Sequence, residues 1–294
     1  MTRDAPASPR SQVLPRPTDR LTLAGALQVS PICLGTVGES RAISHAFDLG
    51  INFFFLTADM HWPLYDATRR GLMDLFRRSP SVRDQVVVAV VGYPAQSEFS
   101  HMPFEETLGY TLGLGHIDLT VAGGSYRSDF AARKEAFEVH KKDFGARAFG
   151  TSFHDREMAA EAIREELVDI AFIRYNVLHP GAETDVFPHV APSSRALLYN
   201  FTSSHPHISP ELFPKLGLNA DYWQPDITDY YRWVLARPEL DGILCAPRTV
   251  AELDALDRAL AAGPLTDEQY TYIRDLTDLA GGKATLVEDP PTTA

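Results

Sequence analysis

The 294-residue sequence predicts a single (β/α)8 barrel, and three observations predict it. Eight short apolar runs recur along the chain, most of them continuous rather than alternating, as parallel strands buried on both faces require. Amphipathic stretches of roughly ten to fifteen residues separate them, the period of surface helices. No G-x-G-x-x-G follows any run, so the alternative arrangement, an open doubly wound sheet, would lack its phosphate loop.

The elements follow in order. Before the first barrel strand, LTLAGALQVS reads as a small hairpin plugging the barrel bottom, two apolar stretches flanking Ala24-Gly25. The strand runs are 32–35, 52–56, 86–92, 117–121, 146–152, 170–175, 196–200 and 242–245. A helix over 41–49 stops at Gly50, and one over 64–78 stops before Pro80. Further helices are predicted over 104–114, 129–143, from 155 or 156 to 166, and over 182–190. The seventh connection, 201–241, is long and carries an extra helix at 226–235; helices over 251–260 and 266–279 finish the core. The barrel is thus expected over residues 19–281. Residues 1–18 and 282–294 mix Pro, Thr, Ala and charge without apolar periodicity and are expected to be disordered tails.

Composition narrows the function. With 39 acidic against 27 basic residues the formal net charge is -12, which argues against nucleic-acid partners. No run approaches the ~18 apolar residues of a membrane span, so no membrane is expected as a partner. The N-terminal stretch is proline-rich and polar, without the apolar core of a signal peptide. Two cysteines, Cys33 and Cys245, make neither a disulfide framework nor a zinc spacing. These features point to a cytoplasmic protein. Of the 27 basic residues 22 are arginine, a bias of GC-rich coding DNA that suggests a bacterial source.

Several segments resemble the aldo-keto reductases. They are the hairpin running into SPICLGT, then FDLGINFFFLTA, GHIDLTV, FGTSFHDRE, RYNVLH, LLYN and LCAPRTVAELDALDRAL, in the family's order over about residues 20–280. The resemblance implies the oxidoreductase superfamily, a TIM barrel, and a nicotinamide cofactor, NADP, meeting substrate at the C-terminal face of the strands. It also implies a tetrad of Asp, Tyr, Lys and His, in which the tyrosine donates a proton to a carbonyl as hydride arrives. Carried over position by position, the tetrad is missing. Aspartate becomes Leu56, tyrosine becomes His61, lysine becomes Val91, and histidine falls on or beside Gly123. A buried Asp–Lys pair replaced together leaves no lone charge, so the site reads as rebuilt.

Cofactor positions are mixed. Ser152, Tyr199, Arg248 and Thr249 match the family's cofactor contacts, whereas Phe153 and Phe172 replace the amide-holding asparagine and glutamine, and Ala255 and Leu256 replace an acidic–asparagine pair. By resemblance Tyr199 would stack on the nicotinamide, and Arg248 and Thr249 would grip an adenosine 2′-phosphate.

Strand C-termini carry the remaining chemistry. His61 takes the proton-donor position, Asp59 orients it, contacts substrate or caps the next turn, and Tyr93 is a replacement acid. Trp62, Tyr65, Tyr126 and His154 are candidate substrate contacts. Asp155 suits an N-cap, and His101 and His179 read as solvent or lid residues. His205, His207 and the Lys141-Lys142 pair read as surface, and Cys245 as packing. No metal is expected, since Asp59, His61, His154 and His179 form no compact ligand motif.

The expected function is an enzyme acting on a small organic substrate, in bacterial specialised metabolism, by redox-neutral acid/base chemistry (dehydration, isomerisation or cyclisation) or by a reduction with His61 in place of tyrosine. The alternatives are a non-catalytic binding or scaffold protein, serving a pathway enzyme partner, and an NADPH-dependent carbonyl reductase.

Overall fold

The structure, a computed structural model, describes residues 10–59, 61–94, 97–191, 194–219 and 221–283. Ten strands are described. An antiparallel pair, β1 (Leu21–Leu23) and β2 (Leu27–Val29), precedes eight parallel strands: β3 (Ile32–Leu34), β4 (Phe53–Leu56), β5 (Val87–Gly92), β6 (Leu119–Ser125), β7 (Ala148–Phe153), β8 (Ile170–Ile173), β9 (Leu197–Asn200) and β10 (Gly242–Cys245). The eight close in sequence order, β10 pairing with β3 through Leu244 and Cys33. This is the predicted barrel.

Period-two alternation sorts each strand between two cores. Phe53, Phe55, Val91, Val121, Phe172 and Tyr199 fill the barrel interior, and Leu23, Leu27 and Val29 of the hairpin join them from below. The hairpin is therefore the expected plug. Phe54, Leu56, Val88, Val90 and Leu198 face outward into the layer shared with the helices. Continuous apolar runs were the sequence signature of this double burial.

The helices are α1 (Arg41–Asp48), α2 (Asp66–Arg78), α3 (Pro80–Arg83), α4 (Ser97–Ser100), α5 (Met102–Tyr110), α6 (Phe130–Asp143), α7 (Arg156–Arg164), α8 (Ala182–Asp185), α9 (Ile227–Leu235), α10 (Val250–Ala261) and α11 (Asp267–Ala280). Their starts are chemically marked. Asp155 accepts from Met158 N at α7, Thr249 from Glu252 N at α10, and capping boxes open α9 at Asp226 and α11 at Thr266. Helices expected over 64–78 and 182–190 are each part 3-10 turn, at Trp62–Tyr65 and Phe187–His189, because Pro63 and Pro188 enter their first positions.

The barrel bottom carries a repeat that periodicity does not reveal. The residue before every second strand accepts a hydrogen bond from the backbone N–H of the preceding strand or its entry. Asn52 Oδ1 takes Ser30 N (2.8 Å), Asp118 Oδ2 takes Val88 N (2.9 Å), Asp169 Oδ2 takes Phe149 N (2.8 Å) and Asp241 Oδ2 takes Leu198 N (2.7 Å). Each clip satisfies a donor that the staggered ladder leaves open.

Of the segment expected as an N-terminal tail, residues 10–18 are packed. Leu14 is only 2% exposed within the outer core, Ser11 N bonds Ala236 O at 2.9 Å, and Arg16 pairs with Asp257 at 2.7 Å. Arg10 also pairs with Asp267 and lies over the Tyr270 ring, so a buried leucine and two ion pairs hold a proline-rich strap whose composition alone reads as polar. Residues 284–294 of the other expected tail lie outside the described residues.

Candidate active site

A cavity of about 280 Å³ opens at the C-terminal end of the strands, the face where barrel enzymes place their chemistry. Its walls are Gly35 and Thr36 after β3, Phe55 of β4, Tyr65, Tyr93 after β5, Ser152 and His154, Phe172 of β8, Phe201 after β9, and Leu244, Cys245 and Ala246. These are mostly the inward positions of successive strands, so closure of the barrel alone brings them together. A broader depression at the opposite end, beside Arg20, Asn52 and Arg147, lies on the face that supplies stability.

Asp59 organises the rim. Its Oδ1 accepts from both His61 N (3.0 Å) and His61 Nδ1 (3.1 Å), and its Oδ2 accepts from Tyr93 N (3.3 Å). One carboxylate thus holds the His61 ring and ties the loops after β4 and β5, while the turn that follows, Trp62–Tyr65, has no side-chain cap. With Nδ1 donating to Asp59, the other nitrogen of His61, Nε2, is the one left to exchange protons. The Asp59 side chain is 8% exposed and that of His61 41%. The His61 ring lies 4.7 Å from that of Tyr93, a cavity wall, while His61 and Asp59 are not themselves among the residues that line the cavity.

Two phenols reach the cavity. Burial, and then the Asp59 charge, push the Tyr93 hydroxyl above its ordinary pKa; burial first, with Tyr93 next, pushes Tyr65 far higher. Both are neutral hydrogen-bond donors at pH 7. Tyr65 is a cavity wall, as expected, but Trp62 is not. Trp62 is exposed under the Arg69 guanidinium, 5.0 Å from its ring centroid. Tyr126 is likewise exposed, its ring tilted at 36° against that of His154 with centroids 5.5 Å apart, and it is not a cavity wall.

The tetrad positions behave differently from the expectation of a swapped pair. Val91 faces the barrel interior, but Leu56 faces the helices, so the two lie in different layers. The inward residue at the end of β4 is Thr57, whose Oγ1 donates to Val91 O at 3.0 Å. At Gly123 the rebuilding is reciprocal. A Cβ there would meet Tyr93 Cδ1 at 2.7 Å, Cε1 at 2.8 Å and Val91 Cγ2 at 2.9 Å. The Tyr93 ring therefore occupies the space a side chain at 123 would need. The next residue, Gly124, sits at φ +69° in a β6 bulge, donating its N–H to Ser152 Oγ at 2.8 Å.

The cofactor positions divide. Tyr199 is a correction: it is fully buried, with its hydroxyl donating to Ser30 O at 2.8 Å near the barrel bottom, so it offers no ring face at the mouth. Phe201, two residues on along the same face, lines the cavity instead. Phe153 points outward against Phe130, and Thr249 spends its hydroxyl on the α10 cap. Arg248 is exposed and its guanidinium has no ion-pair partner among the described residues. Ser152 lines the cavity with its oxygen already accepting from Gly124 N. A nicotinamide held in the family's manner lacks its amide partners and its stacking ring here. The residues do not fit that end of the cofactor.

Other candidates fall elsewhere. Cys245 is a buried cavity wall whose thiol burial pushes up to about 12, which makes it inert. Among the described residues, His101, His140 and Asp143 form a group of metal-ligand spacing, but in the outer layer, where His101 rests on Phe144 at 4.6 Å. Asp59, His61, His154 and His179 form none. Among the described residues no helix is long and apolar enough to cross a membrane.

No protein-family model matches the chain, and no curated protein matches it. Among solved structures, the chain superposes on the holo form of an aldo-keto reductase from Bacillus halodurans with a TM-score of 0.66 at 16% identity. The match covers 88% of this chain and 96% of that one. The apo form of the same enzyme gives 0.60 at 17% identity with the same coverage. The barrel with its hairpin plug is thus an aldo-keto-reductase-like fold.

Proposed function

We propose that the protein is an enzyme with an aldo-keto-reductase-like barrel that acts on a small organic molecule by redox-neutral acid/base chemistry. The observation that carries this reading is the Asp59–His61–Tyr93 unit: one carboxylate holds the His61 ring and the backbone N–H of Tyr93, whose neutral phenol lines an aromatic cavity. His61 Nε2 takes a proton from the substrate, and Asp59 stabilises the imidazolium that forms. Tyr93 and Tyr65 donate hydrogen bonds to the oxygen on which negative charge develops. The proton then returns from His61 to a second substrate atom, which closes a dehydration, isomerisation or cyclisation without a change of oxidation state. Specialised metabolism in a bacterial cytoplasm suits such a repurposed barrel.

Two measurements separate this from the other readings. NADPH fluorescence titration is expected to show no saturable micromolar binding; saturation together with aldehyde turnover lost in His61→Phe would establish the carbonyl reductase instead. In the native pathway His61→Ala should abolish conversion while circular dichroism stays unchanged. Undiminished product in that variant points to a scaffold.

A further inference from the structure

Strand β8 ends at Ile173, and Arg174 follows it, exposed at the mouth. Ser152 of β7 lies opposite Phe172 of β8 in parallel register. Two residues further on, His154 and Arg174 are neighbours on the same inward-facing parity. Ser152, His154 and Phe172 are cavity walls, so Arg174 stands at the rim above them.

The guanidinium of Arg174 has no ion pair or hydrogen bond among the described residues. Most described arginines are paired, in a chain with 39 acidic residues, and Arg174 shares its state with Arg195, Arg248 and Arg258. Arg133, Arg156 and Arg232 each hold a carboxylate at 2.6–3.0 Å. No carboxylate acts on the two histidines beside it: burial, and then the Arg174 charge, lower both His154 and His179, which leaves them neutral at pH 7. The segment that carries Arg174 and His179 is held fast. Tyr175 N donates to Asn200 Oδ1 at 2.7 Å, Asn176 Nδ2 to Thr202 O at 2.8 Å, and His179 N to Asn176 Oδ1 at 2.9 Å.

An unpaired guanidinium, on a rigid frame and beside two neutral imidazoles, thus stands above one concave site. It offers two parallel donors to a carboxylate or phosphate. We propose that Arg174, flanked by His154 and His179, recognises the anionic group of the substrate. The substrate is then a small organic acid, a carboxylate or phosphate monoester, whose apolar body rests on Phe55, Phe172 and Phe201. The proposal rests on the cavity being the substrate site.

Isothermal titration calorimetry of the full chain with benzoate, phenyl phosphate and benzyl alcohol tests it. At least one anion should bind roughly tenfold more tightly than the neutral alcohol, the scale of a charge-assisted bond. Arg174→Met should erase that preference while leaving benzyl alcohol within about twofold, and Arg174→Lys should restore part of it. The stronger of the two anions identifies the group recognised. No preference in the unmodified protein, no binding of any probe, or a preference that survives Arg174→Met overturns the proposal. So does a preference lost in Arg248→Met instead, which would assign the anion to a cofactor phosphate. The acid/base reading is judged by the His61 variants, so either can fail without the other.

Discussion

Substituting Gly123 by alanine tests the reciprocal packing of the rebuilt site. The new methyl would stand 2.7 and 2.8 Å from two ring carbons of Tyr93 and 2.9 Å from Val91 Cγ2, against ordinary contacts of about 3.4–4 Å. Backbone at both ends is pinned, since β5 and β6 pair from Ala89–Leu119 to Gly92–Ala122. The strain therefore falls on the Tyr93 side chain, at an overpacking cost of about 1–3 kcal/mol. Two of the three crowded atoms belong to Tyr93, so Tyr93→Ala should relieve at least half of that cost. Urea denaturation of the four proteins of a double-mutant cycle measures it, with an expected coupling of about 1 kcal/mol or more. Equal costs of Gly123→Ala with and without the Tyr93 ring would refute the reasoning. The same variant should also disturb His61, whose ring lies against that of Tyr93.

The barrel bottom offers sharper stability tests. Arg83 and Asp118 form an almost fully buried pair at 2.8 Å, and Asp118 also clips Val88 N, so Asp118→Ala should cost about 3–5 kcal/mol in chemical denaturation. Burial raises Asp241 from 3.8 to about 6. The unfolded chain then binds fewer protons between those values, so this group's contribution falls as pH rises from about 4 through 6 and levels off near pH 7. Asp241→Asn keeps the acceptor for Leu198 N and should gain up to about 3 kcal/mol over wild type between pH 4 and 7, read from urea midpoints at both pH values. His140, pushed below its ordinary pKa by burial and then by His101, acts with the opposite sign. Its share of stability is complete above pH 6.5 and is lost as pH falls, a loss His140→Phe should remove from the acid limb of the denaturation profile. Both thiols are buried, so Ellman's reagent should react with neither until denaturant is added; immediate native-state labelling would contradict that placement.

Much of the architecture was legible because it follows from local rules. Parallel strands buried on both faces must be continuously apolar, and residues such as Asp155, Asp226, Thr249 and Thr266 mark helix starts by hydrogen bonds reaching only two or three residues along the chain. The site was legible in part. Asp59, His61 and Tyr93 were recognisable because loops after barrel strands converge, yet Trp62 and Tyr126 share that address and face outward. Phe201 carried a usable signal, two residues beyond Tyr199 on the same face.

What the sequence by itself determined is the order and number of strands and the hairpin plug. Those depend on periodicity and on near neighbours. Only the tertiary structure decided which side of β4 Leu56 faces, that Tyr199 reaches down to Ser30, that the Tyr93 ring fills the space beside Gly123, and that Arg174 stands unpaired above the cavity. Each depends on strand register and on atoms tens of residues apart, and a one-residue step along a strand turns a side chain from the cavity to the helices.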